Sequence, residues 1–152
     1  MNKTLLTADI SSWLAAGGHG YFITLNTLKN DKIQFEQELR KIAHKLNGFC
    51  FGRAYERKEK ELKIIAGIET GKVDDILHAH LVVSLPHETK RTLFEIDSYI
   101  RKSWCSLIGI ANVPQGSMVN VQHLGDDAGR IAYIVKDTSY WLQNDSLNIV
   151  VL

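Results

Sequence analysis

The segment Leu77–Leu85 has the pattern of a β-strand whose two faces differ in chemistry. Side chains alternate between the faces of a strand, so one face is completely apolar and consists of Leu77, Ala79, Leu81, Val83 and Leu85. His78 and His80 point together to the other face, where the core does not need them. Two imidazoles this close can bind one metal ion. The segment therefore predicts a sheet that buries one face and carries a metal site on the other.

Glu69 is the candidate for a third metal ligand. It ends another strand-like run, Leu62–Glu69, in which Leu62, Ile64, Ala66 and Ile68 form one face. If this apolar set faces the core, Glu69 projects on the same side as the histidines. Two imidazoles and one carboxylate leave open positions on Mg²⁺ or Mn²⁺, and a phosphate substrate needs such positions. Asp74 and Asp75, on the loop between the two strands, are competing candidates.

The periodicity of the whole chain predicts an α+β fold with the element order β-α-β-β-β-α-β-α. The predicted strands are Tyr21–Asn26, Phe49–Glu56, Leu62–Glu69, Leu77–Leu85 and Met118–Leu124. Short connections join the second, third and fourth strands, which favours antiparallel hairpins. We therefore expect a single, mainly antiparallel, five-stranded sheet covered by helices.

Three helices complete this prediction. The first begins at Asn30 or Asp31 and ends at Gly48, with Phe35, Leu39, Ile42 and Leu46 on its apolar face. The second spans about His87–Leu107 and buries Leu93, Ile96, Ile100, Trp104 and Leu107. The third spans about Ala128–Leu142, after a Gly-Asp-Asp sequence that suits a helix N-terminus.

The length of 152 residues predicts one domain, 1–152, in which 1–19 form an irregular or weakly helical lead-in. No run approaches the ~18 apolar residues of a membrane span, so no membrane association is expected. Cys50 and Cys105 lack CxxC spacing and are expected to be buried thiols in a reducing compartment. These features predict a cytoplasmic protein.

The net charge of +1 shows that the chain is not a polycation. A local basic patch remains compatible with it, because the basic residues Arg53, Arg57, Lys58, Lys60 and Lys63 are close in sequence. The same run also fits the solvated tip of a hairpin. Charge alone therefore leaves nucleic-acid binding open.

The predicted third helix carries Tyr133 and Lys136, which lie three residues apart and share a helix face. A tyrosine beside a lysine can act as a nucleophile, because the cation stabilises the phenolate or a nearby phosphate. The pattern also fits an amphipathic tyrosine beside a surface lysine. The helix alone does not decide between the two.

Three motifs, in this order, resemble those of rolling-circle replication initiators of the HUH endonuclease superfamily. Phe22–Thr27 is similar to the first motif, Leu77–Val83 to the His-hydrophobic-His metal motif, and Tyr133–Lys136 to the Tyr-x-x-Lys nucleophile motif. The resemblance covers about Tyr21 to about Trp141. Ala79 departs from it, because it is smaller than the residue usual between the two histidines.

The resemblance implies a ferredoxin- or RRM-like HUH fold and a metal-dependent nicking reaction on single-stranded or hairpin DNA at a replication origin. Tyr133 would attack the phosphate and form a 5′-phosphotyrosine link, while Lys136 and Arg130 neutralise charge. Tyr55 would stack on the bases of the single-stranded DNA, and Arg53 and Arg57 would bind its backbone. A separate helicase and a DNA polymerase are the expected partners, and either a monomer or a homodimer is compatible with this function.

Four other functions remain open. A single-tyrosine transposase of the same superfamily usually has an amide near the tyrosine, so Lys136 favours the replication type. A plasmid-mobilising relaxase usually has a third histidine in the metal site and a tyrosine near the N-terminus, so the pattern of this chain favours it less. A non-catalytic nucleic-acid-binding module would place stacking aromatics where His78 and His80 stand. A zinc hydrolase could use the same two histidines with His123.

Overall fold

The fold is built on one antiparallel sheet. The computed structural model describes residues 12, 20–71, 73–85, 88–110, 118–123 and 149–152. Its strands are β1 (Gly20–Asn26), β2 (Lys63–Thr70), β3 (Leu77–Ser84), β4 (Val119–His123) and β5 (Ile149–Val151). They lie in the order β4-β1-β3-β2-β5, and every neighbouring pair is antiparallel. The predicted α+β class with a mainly antiparallel sheet is confirmed.

Helices cover one face of this sheet. The described helices are α1 (Lys32–Phe51), the four-residue α2 (Arg53–Glu56) and α3 (Leu93–Leu107). The core contains the apolar residues predicted for β3 and for the first helix, except that Leu85 is only partly buried, together with Tyr21, Ile23 and Leu25 of β1. Trp104 of α3 is fully buried, and its Nε1 donates a hydrogen bond to the Asn26 carbonyl over 2.7 Å. This contact fixes α3 against the end of β1.

The predicted strand Phe49–Glu56 is wrong, because α1 continues to Phe51 and α2 follows. Phe49 and Phe51 alternate as in a strand, but Leu46 and Cys50 also lie four residues apart, as on one helix face. The helical solution buries Cys50 and stacks Phe49 on Tyr99 of α3, with ring centroids 4.1 Å apart. The helix ends at Gly52 rather than Gly48, because Gly52 adopts the positive φ of 52° that favours glycine.

The helix starts are set by side-chain caps. Asp31 caps α1 as predicted, and its Oδ1 accepts a hydrogen bond from Gln34 N. The second predicted helix begins at Leu93 rather than His87, because Thr92 and Glu95 form a capping box there.

The hydrogen bond from the Thr92 backbone N–H also lowers the pKa of the Glu95 carboxyl. Leu93, in the first turn, is exposed rather than buried as predicted.

The Asn47 side chain connects α1 to the start of β2. Its Oδ1 accepts a hydrogen bond from Leu62 N over 2.7 Å, and its Nδ2 donates to the Ala43 carbonyl over 3.0 Å. Asn47 is buried, so its side chain rather than solvent pairs with these two backbone groups. Asn47→Ala is expected to lower the free energy of unfolding by about 2 kcal/mol, because it leaves the Leu62 N–H buried and unpaired. Urea unfolding measures this change, and a loss below ~0.5 kcal/mol would show that water reaches Leu62 N.

Two predicted segments, the lead-in 1–19 apart from residue 12 and the helix Ala128–Leu142, lie outside the described ranges. Among the helices within those ranges, none is both long and apolar enough to cross a lipid bilayer.

Candidate metal centre

The sheet register places the three predicted metal ligands side by side. Glu69 of β2 is directly opposite His78 of β3, and Gly67 is opposite His80. All three side chains project from the face of the sheet opposite to the one that carries Leu77, Ala79, Leu81 and Val83, as strand alternation predicts. The cluster lies on the central strands of the sheet, because β3 is flanked by β1 and β2, and it is near the end of the sheet where a turn joins β2 to β3.

The ligand atoms of the three residues converge. Glu69 Oε2 lies 2.7 Å from His78 Nε2 and 3.6 Å from His80 Nε2. Among the described residues, this is the cluster of three whose ligand atoms all lie within 4.8 Å of one another. Each side chain is about one quarter exposed, at 26%, 26% and 27% for Glu69, His78 and His80. The site is therefore built into the sheet and still open to a ligand from solvent.

The donor set fits a divalent cation. Two imidazole nitrogens and one carboxylate oxygen are ligands that divalent metals accept, and three protein ligands leave further coordination positions for substrate oxygens. The Glu69–His78 hydrogen bond needs a proton between the two atoms, and a bound cation would take the place of that proton. Glu69, His78 and His80 thus form a potential metal-binding triad.

The competing candidates Asp74 and Asp75 lie in the turn between β2 and β3 and not in the triad. Asp74 Oδ1 accepts a hydrogen bond from Ile76 N within the β2–β3 turn. Asp75 adopts a positive φ of 55° in the same turn, a conformation that aspartate tolerates better than most residues. Neither belongs to the convergent cluster found among the described residues.

This difference predicts a ranking of metal affinities. Glu69→Ala is expected to weaken Mn²⁺ binding at least about 100-fold, because it removes a ligand, whereas loss of an outer-shell partner typically costs about 10- to 100-fold. Asp75→Asn is the matched control, because asparagine removes the carboxylate and still tolerates the positive φ, and it should leave the affinity unchanged within about twofold. Isothermal titration calorimetry gives both values, and the reverse ranking would place the metal at the turn.

Two β1 residues contact His80, and the sequence did not reveal their role. Thr24 is paired with His80 in the register, and its Oγ1 lies 3.1 Å from His80 Nδ1. The Phe22 ring stacks on the imidazole, with centroids 5.6 Å apart and an interplanar angle of 7°. Alternation along β1 puts both on one face, but only the β1–β3 pairing shows that this face is the one carrying the metal ligands.

The predicted DNA-binding residues Arg53, Tyr55 and Arg57 do not lie at the triad. Arg53 and Tyr55 lie on α2, and Arg57 follows directly after it, rather than on a strand as predicted. Tyr55 OH lies 3.1 Å from His44 Nδ1, and Arg57 forms an exposed ion pair with Glu59.

The position of α1 shows how the metal-binding triad is separated from the residues at α2. The loop before α1 is at the triad end of the sheet, where the Lys29 carbonyl accepts a hydrogen bond from Leu77 N. The last turn of α1 is at the other end, where the Cys50 carbonyl accepts from Thr89, beyond the end of β3. The 20 residues of α1 span about 30 Å. We therefore place α2 near the far end of the sheet from Glu69 and His78.

Two further predictions concern individual side chains. Cys50 and Cys105 are free and buried, as predicted, and burial raises the pKa of the Cys50 thiol to about 11, which makes it a poor nucleophile near neutral pH. His123 of β4 is opposite Tyr21, a residue of the buried face. It therefore projects away from His78 and His80, and the zinc site with His123 as third ligand is wrong.

Tyr133, Lys136, Arg130 and Tyr140 lie outside the described residues, so the roles expected for them stay predictions. Comparison of the chain with protein-family models, curated proteins and solved structures finds no significant match.

Proposed function

We propose that this protein is a metal-dependent endonuclease that nicks and rejoins single-stranded DNA through a covalent phosphotyrosine link, in the initiation of rolling-circle replication of a plasmid or virus. The observation that carries the proposal is the convergence of Glu69, His78 and His80 on one solvent-accessible point of the sheet. A His-x-His pair on a central strand, completed by a carboxylate from the neighbouring strand, supports the resemblance on which the function rests.

The triad gives the proposed reaction its metal. A bound Mg²⁺ or Mn²⁺ would supply charge stabilisation at the oxygens of the scissile phosphate. Glu69 provides the hard oxygen ligand common to both ions, and the two imidazoles favour Mn²⁺, since Mg²⁺ prefers oxygen ligands. Because the three side chains are partly exposed, a phosphodiester can reach the open coordination positions from the sheet surface.

Tyr133 is the nucleophile in this proposal. Its phenolic oxygen forms a bond to phosphorus as the bond from phosphorus to the 3′-oxygen breaks, and the phenolic proton passes to solvent. The leaving oxygen takes up a proton and becomes a free 3′-hydroxyl, while the 5′-phosphate stays on the tyrosine. Lys136 and Arg130 neutralise charge on the phosphate or on the phenolic oxygen. Because the phosphodiester energy is kept in the new bond, the reverse reaction rejoins strands.

The proposed substrate is single-stranded or melted at the cut, so that the scissile phosphate can enter the metal site. The positions of Arg53, Tyr55 and Arg57 separate them from the triad, so contacts from these residues would fall on DNA distant from the cut. A hairpin or a strand of several nucleotides can bridge that separation. We therefore propose origin DNA with a hairpin as the substrate.

A denaturing gel tests the proposed function. The protein is incubated with labelled single-stranded DNA from the candidate origin, with Mn²⁺ or with EDTA. A labelled band that migrates with the protein in SDS is expected with Mn²⁺ alone. DNA binding without cleavage in Mn²⁺ would favour the non-catalytic nucleic-acid-binding module, and cleavage without the adduct would indicate metal-assisted hydrolysis.

A further inference from the structure

The His80 ring contacts two β1 residues, and one of its edges faces Glu69, another member of the triad. Thr24 Oγ1 lies 3.1 Å from its Nδ1, and the Phe22 ring is nearly parallel to the imidazole at 5.6 Å. On the opposite edge of the ring, Nε2 faces Glu69 Oε2 at 3.6 Å. The two ring nitrogens therefore have distinct surroundings, one a hydroxyl and the other the metal-ligand cluster.

This arrangement has a consequence for the tautomer of His80. A neutral imidazole carries its proton on one nitrogen and a lone pair on the other. A metal ion beside Glu69 needs the lone pair on Nε2, so the proton must be on Nδ1. The Thr24 hydroxyl oxygen is at hydrogen-bonding distance to accept that proton, which is the usual outer-shell support of a metal-ligating histidine.

We propose that Thr24 is a positioning residue that holds His80 in the Nδ1–H tautomer and thereby presents the Nε2 lone pair to a metal ion, while Phe22 fixes the plane of the ring. This inference rests on the metal site of the proposed function. Loss of an outer-shell partner typically lowers metal affinity about 10- to 100-fold, so loss of the Thr24 hydroxyl should weaken Mn²⁺ binding by about tenfold or more.

The test compares Thr24→Val, which removes the hydroxyl at nearly constant shape, with Thr24→Ser, which restores it. Thr70→Val is the matched control, because Thr70 follows Glu69 and alternation turns its side chain to the other face of β2. Long-range ¹H–¹⁵N correlation spectra of the metal-free proteins, at a pH of about 8.5 where an ordinary histidine is neutral, report the His80 tautomer. Electron paramagnetic resonance of free Mn²⁺ gives the affinity of each variant.

The expected result is the Nδ1–H tautomer in the wild type, in Thr24→Ser and in Thr70→Val, with Mn²⁺ affinities within about threefold of one another. Thr24→Val should give a mixture of tautomers and the weaker binding. An Nε2–H tautomer in the wild type would overturn the inference, as would equal Mn²⁺ affinities of Thr24→Val and the wild type. An Nδ1–H tautomer in the wild type and Mn²⁺ binding that is weakened by Thr24→Val, together with no DNA cleavage by the wild type, would support the positioning role and contradict the proposed nicking function.

Discussion

Tyr133→Phe is expected to abolish the covalent adduct with DNA while Mn²⁺ binding and DNA binding remain. Phenylalanine has nearly the shape of tyrosine but lacks the hydroxyl that would form the bond to phosphorus. Removal of a nucleophile commonly lowers the rate by several orders of magnitude, so adduct formation should fall by at least about 10³-fold. The metal ligands Glu69, His78 and His80 are on β2 and β3, so the substitution leaves the triad itself unchanged.

Tyr140→Phe is the control for this experiment, because Tyr140 is the other tyrosine predicted for the same helix, seven residues further along the chain. It should retain most of the wild-type activity. Mass spectrometry of the digested adduct should place the nucleotide on the peptide that contains Tyr133. A nucleotide on Tyr140, or an adduct that persists in Tyr133→Phe, would contradict the assignment of the nucleophile.

The metal-ligand arrangement was predictable because it depends on local alternation. In β3 and β2 the apolar residues fill every second position, so the side chains between them must project to the other face. The β2–β3 turn is short, which makes antiparallel pairing the natural result and sets Glu69 opposite His78. Both the alternation within each strand and the pairing of β2 with β3 involve residues that are close in sequence. Each of them therefore follows from local pattern.

The contribution of β1 was not predictable in the same way. Thr24 and His80 are 56 residues apart, and the alternation within each strand does not say which strands pair. The sequence shows the motif around Phe22 and Thr24, but the contact of this motif with His80 depends on the non-local β1–β3 register. Outer-shell contacts of this kind depend on tertiary structure rather than on local pattern.

The region after α1 shows where a local pattern misleads. Phe49–Glu56 has alternating apolar residues and fits a strand, yet the spacing from Leu46 to Cys50 fits a helix equally well. Packing decides between them, because the helix buries Cys50 and places Phe49 between Tyr99 and Arg91, whose guanidinium lies 4.2 Å from the Phe49 ring centroid. The expected basic hairpin is therefore a helical turn at the far end of the sheet from Glu69.

His80→Ala is expected to abolish metal-dependent cleavage and to leave the fold intact. The substitution removes one of three protein ligands, so Mn²⁺ affinity should fall by more than the ~100-fold upper range for an outer-shell partner, and adduct formation should fall to the level measured in EDTA. Stability should change by about 1 kcal/mol or less, because His80 is partly exposed and the buried face of β3 is complete without it. His78→Ala should behave in the same way.

His123→Ala is the matched control for both histidine variants. His123 is an exposed strand histidine that projects from the other face of the sheet, so its loss should affect neither Mn²⁺ binding nor cleavage. Calorimetric titration with Mn²⁺ and thermal unfolding separate the two roles that His78 and His80 can have. Loss of cooperative unfolding in either variant would identify it as a structural histidine, whereas cleavage that survives in His80→Ala would show that the reaction does not use the triad.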